Sequence, residues 1–292
     1  MRGRIILVVQ ARMGSSRLPG KVLLEACGKP LLELMLERLA RVRSPVLIVV
    51  ATTTDGADDP IVELCRRLRT EVFRGHPADL LDRHYAAGLV FGADAVAKIP
   101  SDCPLIDPVV VDRVLERFSR GDCDYAGNLH PASFPDGNDV EVMSMAALET
   151  AWREAHLPME REHTTPFIWE RGERFRLANV VWESDGKGAP LRDFSLSHRW
   201  TLDYPEDYTF IRRVYEALYP ANPEFGLWDV LDWLETEPEI AAINAAYAGV
   251  NWYRHHLHEL RTVDARHTRP HPLPGGRGTE SRYANDRPLS TF

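Results

Sequence analysis

An α/β fold on a mainly parallel sheet is what this sequence predicts, and three observations carry the prediction. Strand-like runs alternate with helical patterns from Ile5 to Phe118, and the runs are continuously apolar, as strands buried on both faces are. The first run also opens straight into a cationic loop containing glycine and serine, at the carboxyl strand edge where open α/β sheets place their ligands.

In chain order, "IILVV" at Ile5 to Val9 is the first strand and the amphipathic "PLLELMLERLARV" from Pro30 to Val42 the first helix. "VLIVVATT" (Val46 to Thr53) reads as a strand and "DDPIVELCRRL" as a helix. Asp58, Asp59 and Pro60 suit its start, with carboxylates at the positive end and proline preset for the first turn. A short "TEVFRG", a helical "ADLLDRHYAAGLVFG" and the strand "AVAKIP" from Ala95 to Pro100 follow, and "DPVVVDRVLERF" closes the repeating units.

From Asp122 to about Gly188 the pattern becomes mixed: "CDYAGN", "FPDGNDVEVMS", a helix at "MAALETAWREAH", then "EREHTTPFIWE" and a strand in "FRLANVVWES". This reads as a mixed α/β insertion at about 122–190 within a single domain spanning 1–250, suited to covering a site, binding a second substrate or pairing with another subunit. "RWTLDYPEDYTFIRRVYEAL" suggests a strand ending near Asp203 and a helix beginning at Pro205 or Glu206, with helix continuing to about Ala248. The stretch 261–292 is rich in Pro, Gly, Arg and Thr and lacks apolar periodicity, so a disordered or loosely attached tail is expected.

The formal charge of −8 offers no global field for nucleic acid or an anionic membrane, which makes the early cations look local. No run approaches the roughly 20 apolar residues of a membrane span, and the start lacks the pattern of a signal peptide, so a cytoplasmic protein is expected. Cys27, Cys65, Cys103 and Cys123 are dispersed and receive no chemistry; His255, His256 and His258 are not completed into a metal site by any carboxylate or cysteine pattern.

Two familiar phosphate loops are excluded. Gly14 to Lys21 runs Gly, five residues, Gly, Lys, one residue longer than the Walker pattern, with Val22 where a hydroxyl belongs, and no G-x-G-x-x-G follows the first strand. What remains is a longer loop in which Arg12, Arg17 and Lys21 can surround a triphosphate while Gly14, Ser15 and Ser16 offer backbone and hydroxyl donors. Asp102 in "IPSDCPLIDP" lies at the same strand edge as a candidate Mg²⁺ ligand, whereas Asp107 before Pro108 is better explained as a helix cap. "LDYPED" supplies Asp203 as a second carboxylate. Two aspartates and a basic loop at one sheet edge describe phosphoryl or nucleotidyl transfer.

The stretch "VVQARMGSSRLPGKVLLEACGKPLLELMLERL" resembles the opening of the cytidylyltransferases that make CMP-activated sugar acids, including CMP-Kdo and CMP-sialate synthetases. Through "VATTTDGADDPI", "VFRGHPADLLDRHYAA", "SDCPLIDP", "PDGNDVEVMS", "EREHTTPFI" and "TLDYPED", in order from Ile5 to Tyr208, it is similar still more closely to the spore-coat polysaccharide protein SpsF family. The resemblance implies a Rossmann-like fold of the nucleotide-diphospho-sugar transferase (GT-A-like) type, a homodimer, and Mg²⁺-dependent transfer of CMP from CTP to a sugar acid with release of pyrophosphate. Carried over by position, it makes Arg12, Ser15, Ser16, Arg17 and Lys21 CTP-phosphate contacts and Asp102 and Asp203 the Mg²⁺ ligands. Thr52 and Thr53 fall near the base and Arg83 near the nucleotide; Lys21, Arg12, Asp102 and Asp203 form the catalytic set.

The acceptor is not carried over, because "PDGNDVEV" and "EREHTTPF" match SpsF relatives rather than the Kdo or sialate enzymes. Asp136, Glu141, Arg161, Glu162 and His163 are the acceptor-site candidates, Arg161 having a fork suited to a carboxylate or phosphate. The rival readings are another nucleotidylyltransferase, a nucleotide-sugar glycosyltransferase and a catalytically silent pathway subunit. For the glycosyltransferase only "DCD" at Asp122 to Asp124 offers an Asp-x-Asp pair.

Overall fold

A computed structural model describes residues 3–182 and 193–270. β1 (Ile5–Gln10) leads into the basic loop, a short antiparallel hairpin of β2 (Glu25–Ala26) and β3 (Lys29–Pro30), and α1 (Leu31–Leu39). β4 (Val46–Thr53), α2 (Asp59–Leu68), β5 (Glu71–Gly75), α3 (Leu80–Val90), β6 (Ala95–Pro100) and α4 (Pro108–Phe118) complete the alternating part. β7 (Tyr125–Gly127), β8 (Glu141–Ser144), α5 (Met145–Glu154), α6 (Pro158–His163), α7 (Pro166–Trp169) and β9 (Leu177–Asn179) come next, then α8 (Pro205–Leu218), α9 (Leu227–Thr236) and α10 (Pro238–Ala241).

Seven strands form one sheet in the order β5-β4-β1-β6-β8-β7-β9. β5, β4, β1 and β6 run parallel, β8 is antiparallel to both its neighbours, and β9 pairs parallel with β7. The stretch read as an insertion therefore extends the main sheet with three short strands. "FRLANVVWES" yields a strand only at Leu177–Asn179, and its last two residues lie outside the described residues.

The unbroken apolar run of β1 is explained by its central place. Leu7 and Val9 pack on one face with Leu31, Leu34 and Met35 of α1 and Phe210 and Ile211 of α8. Ile6 and Val8 pack on the other with Leu81 and Ala87 of α3 and Leu148 and Ala151 of α5. Each such fully buried aliphatic side chain contributes about 1.5–3 kcal/mol. This two-sided burial fixes β1 and β6 in register, with Gln10 opposite Pro100, so the loops leaving both strands emerge side by side.

Asp107 accepts from the Val109 amide at 2.7 Å and so caps α4 as expected, while its other oxygen takes the Leu227 amide at the start of α9. Asp58 departs from its expected role. Rather than capping α2, its carboxylate turns to the Met13 amide at 2.7 Å and to the amide and hydroxyl of Thr53, tying the basic loop to the end of β4. The expected loose tail is also corrected at its beginning. The amides of Arg261 and Thr262 donate to Glu170 at 2.7 and 2.9 Å, Val263 is buried, and the Arg269 amide donates to the Gly249 carbonyl; residues 271–292 lie outside the described residues. Acceptors on the folded body reward ordering of residues 261–269, which composition alone does not reveal. Among the described residues no helix is long and apolar enough to cross a membrane.

His84 of α3 is fully buried, with Nδ1 placed 2.7 Å from the Leu80 carbonyl and Nε2 without a hydrogen-bond partner among the described residues. Burial pushes the imidazole down to about 3 from its ordinary 6.5. The folded state thus resists protonation that the unfolded chain accepts, so this group's stabilisation is complete above pH 6.5 and is lost as pH falls toward 3. Urea unfolding between pH 7.5 and 5 is expected to show stability falling with acid, and His84→Gln to remove about 1 kcal/mol per pH unit of that slope below the ordinary histidine value. An unchanged slope in the variant would assign the acid sensitivity to other groups.

Candidate active site

The loops leaving β1 and β6 meet the segment entering α8. Gly20 adopts a left-handed φ of 69°, which glycine tolerates best, and launches the single helical turn at Lys21–Leu23. Lys21 reaches across the sheet edge: its Nζ lies 3.3 Å from Asp102 Oδ2 and 2.9 Å from Asp203 Oδ1, and donates to the Leu202 carbonyl at 2.6 Å. Arg17 joins Asp203 Oδ1 at 2.7 Å from the solvent side. Although burial opposes ionisation at both positions, Asp102 and Asp203 hold the Lys21 ammonium above its ordinary value, and Lys21 and Arg17 hold the Asp203 carboxyl below its own.

The strand expected to end near Asp203 is instead an extended segment with a single bridge, Asp136 to Arg199. Asp136 and His198, Trp200 and Asp136, and Leu202 and Asp102 exchange backbone hydrogen bonds at 2.9, 2.7 and 2.8 Å. Its partners are the loops around Asp136 and Asp102 rather than a strand, so no ladder propagates. The segment still brings Asp203 alongside Asp102. Gly137 is required there, since a β-carbon would stand 2.7 Å from the Trp200 carbonyl carbon.

Beneath the pair lies Arg199, a buried cation that the sequence reading missed. Its guanidinium takes Asp207 with Nε at 2.9 Å and Nη2 at 3.1 Å, Asp203 Oδ2 at 3.3 Å, Asp136 Oδ2 at 3.4 Å and the Val250 carbonyl at 3.0 Å. Asp207 lies in the first turn of α8, where it accepts from the Asp203 and Tyr204 amides and is fully buried against Arg199. Burial, only partly offset by Arg199, lifts the Asp136 carboxyl well above its ordinary value.

The other loop candidates divide. Arg12, Gly14 and Ser16 are exposed, and Ser15 Oγ accepts from the Leu18 amide at 3.2 Å, shaping the loop. Thr52 and Thr53 are buried at the end of β4, where Thr53 supports Asp58 and through it the loop. Arg83 is buried in α3 and donates to the carbonyls of His76 and Pro77.

Of the acceptor candidates, Asp136, Glu141, Arg161 and His163 each have their own partners in the fold. Asp136 sits on Arg199, while Glu141 of β8 accepts from Lys98 at 2.6 Å and from the Tyr125 hydroxyl at 2.8 Å. Arg161 already grips Asp79 at 2.5 Å and the Trp152 carbonyl at 2.9 Å, so its fork is engaged within the fold. Glu162 is exposed on α6. The His163 ring stacks on Trp252 at 3.8 Å, and burial pushes its imidazole down to about 3. Thr164 beside it turns through a φ of 74°, closed by the Thr165 amide on the His163 carbonyl, a strained turn that fixes the ring's base.

Asp139 and Lys98 also escaped the sequence reading. Burial, with Asp102 and Glu141 nearby, pushes the Asp139 carboxyl up to about 7. A lysine inside the apolar "AVAKIP" run was the available signal for Lys98, because a charge in a doubly buried strand needs a partner. The Asp-x-Asp pair is engaged on the surface, Asp122 with Arg117 and Asp124 with Arg176.

A sequence model described as cytidylyltransferase matches residues 6–221. An uncharacterised protein of Methanocaldococcus jannaschii is 33% identical over 242 residues, covering 83% of this chain and 95% of that protein. The spore coat polysaccharide biosynthesis protein SpsF of Bacillus subtilis is 27% identical over 242 residues, covering 81% of this chain and 96% of its own. A solved cytidylyltransferase structure from Leptospira borgpetersenii superposes with a TM-score of 0.75 at 31% identity, over 82% of this chain and 96% of that one.

Proposed function

The chain belongs to the cytidylyltransferase family, and from that premise we propose that it transfers the CMP unit of CTP to an oxygen of a sugar acid, releasing pyrophosphate, in polysaccharide or glycoconjugate synthesis. The observation that carries the reading is the clasp of Lys21 between Asp102 and Asp203, with Arg17 alongside, on the loop after β1. The sugar acid is supported by the resemblance of the opening motif to CMP-sugar-acid synthetases, and the biosynthetic role by the similarity to SpsF.

The chemistry needs alignment and charge stabilisation rather than a covalent protein intermediate. An acceptor oxygen attacks the α-phosphorus of CTP as the bond to the β-phosphate oxygen breaks. Arg12, Arg17 and Lys21 bind the triphosphate and neutralise charge on the departing pyrophosphate. Gly14 and Ser16 bring backbone amides and a hydroxyl to the same oxygens.

Asp102 and Asp203 suit Mg²⁺: they are hard oxygen donors, and one ammonium already touches both, so they lie within reach of a single cation. When bound, the metal would supply Lewis-acid polarisation of the phosphate. Arg199 holds Asp203 in place from below.

The test is pyrophosphate release with ATP, CTP, GTP or UTP and Mg²⁺ against sugar acids, small hydroxy acids and phosphorylated acceptors. Acceptor-dependent release with CTP, and at least about tenfold less with the other three, is expected. Acceptor-dependent release led by another nucleotide would overturn the cytidylyl assignment.

A further inference from the structure

We propose that Lys21 is the resident counter-ion of the Asp102–Asp203 pair, so that the divalent metal enters together with the triphosphate that draws Lys21 away, and binds poorly by itself. The inference rests on the metal reading above. Asp203 Oδ1 takes Lys21 at 2.9 Å and Arg17 at 2.7 Å, Asp203 Oδ2 takes Arg199 at 3.3 Å, and Asp102 Oδ2 takes Lys21 at 3.3 Å. The ammonium is not a casual visitor. The Leu202 carbonyl anchors it at 2.6 Å, and the side chain is only 12% exposed.

Mg²⁺ requires carboxylate oxygens at about 2.0–2.1 Å in a near-octahedral set. An ion so placed on Asp102 Oδ2 and Asp203 Oδ1 would crowd a like-charged ammonium in a partly desolvated place, where repulsion is weakly screened. Lys21 must leave before the metal can settle. Its flexible four-carbon stem permits the movement, and a triphosphate supplies both the anion that receives Lys21 and the oxygens that complete the metal's shell.

Linkage then fixes the sign of two effects. The triphosphate and the metal must each tighten the other's binding by the same factor. Removing the ammonium must strengthen binding of metal alone, although the same change impairs catalysis. A lysine that only contacts phosphate predicts no such gain.

The experiment is a Mn²⁺ titration read by electron paramagnetic resonance of the free ion, on wild type, Lys21→Met, Lys21→Arg and Asp102→Asn, with and without α,β-methylene-CTP. Wild type is expected to bind Mn²⁺ alone weakly and at least about tenfold more tightly with the analogue. Lys21→Met is expected to bind Mn²⁺ alone about tenfold more tightly than wild type and to gain less from the analogue than wild type does, while Lys21→Arg, which keeps the charge, stays weak without the analogue.

Equal wild-type affinity with and without the analogue, or no gain in Lys21→Met, would overturn the inference. Should Lys21→Met fail to fold, Lys21→Gln takes its place, with the same gain in binding of Mn²⁺ alone expected. Undiminished Mn²⁺ binding by Asp102→Asn with the analogue present would instead bring down the metal reading itself.

Discussion

Asp102→Asn is expected to lower CTP-dependent pyrophosphate release by about a hundred- to a thousandfold, the scale of losing one electrostatic contact to a reacting phosphate, while urea unfolding moves by less than about 1 kcal/mol. The separation between the two effects follows from how Asp102 is held. Its structural work is done by the main chain, whose carbonyl accepts from the Leu202 amide at 2.8 Å and the Thr201 hydroxyl at 3.3 Å. The carboxylate itself is 30% exposed and meets Lys21 at the long distance of 3.3 Å. Asparagine keeps the shape and the backbone bonds but removes the charge that a hard cation needs. Asp203 would make a poorer test, because its carboxylate is also wired to Arg199 and a substitution there mixes catalysis with folding. Near wild-type turnover by a folded Asp102→Asn protein at matched Mg²⁺ would remove Asp102 from the catalytic set.

What the sequence made legible, and what it hid, divides along a physical line. Strands buried on both faces must be apolar throughout, so β1, β4 and β6 stood out, and helices with one buried stripe announced α1, α2 and α4 by period. Lys21, Asp102 and Asp203 were conspicuous in the sequence because each charge lies within two residues of a glycine or proline that interrupts an apolar stretch.

Arg199 was hidden because "SHRWTLD" looks the same whether its arginine faces water or three carboxylates. Only the tertiary meeting of Asp136, Asp203 and Asp207 distinguishes these cases. Asp58 misled for a related reason: an aspartate two residues before a proline is as good a cap as a loop tether, and the Met13 amide that decides between them is 45 residues away in sequence. Arg161 is a related case, since its fork meets Asp79 at the neighbouring start of α3, a contact no local pattern encodes.

Arg199→Met is expected to cost about 3–5 kcal/mol of stability, the usual penalty for stranding a buried charge partner. The guanidinium side chain is 1% exposed and Asp207 0%, so water cannot replace the lost contacts. Methionine fills much of the volume but leaves Asp207 and the inner oxygens of Asp203 and Asp136 facing one another. Arg199→Lys keeps the charge yet cannot reproduce the paired contacts of Nε and Nη2 with Asp207 at 2.9 and 3.1 Å, and should lose about half as much.

The origin of the loss can be separated from simple packing. If stranded charge is the cause, Arg199→Met combined with Asp207→Asn should be less destabilised than the sum of the two single changes by at least about 1 kcal/mol, since the second change removes what the first exposes. Additive costs would mean that the arginine acts by filling space. Because the same guanidinium orients Asp203 Oδ2, the folded Arg199→Lys protein should also turn over more slowly at temperatures well below its melting point. The carboxylate proposed to hold the metal is thereby oriented by the same guanidinium that neutralises the buried Asp207.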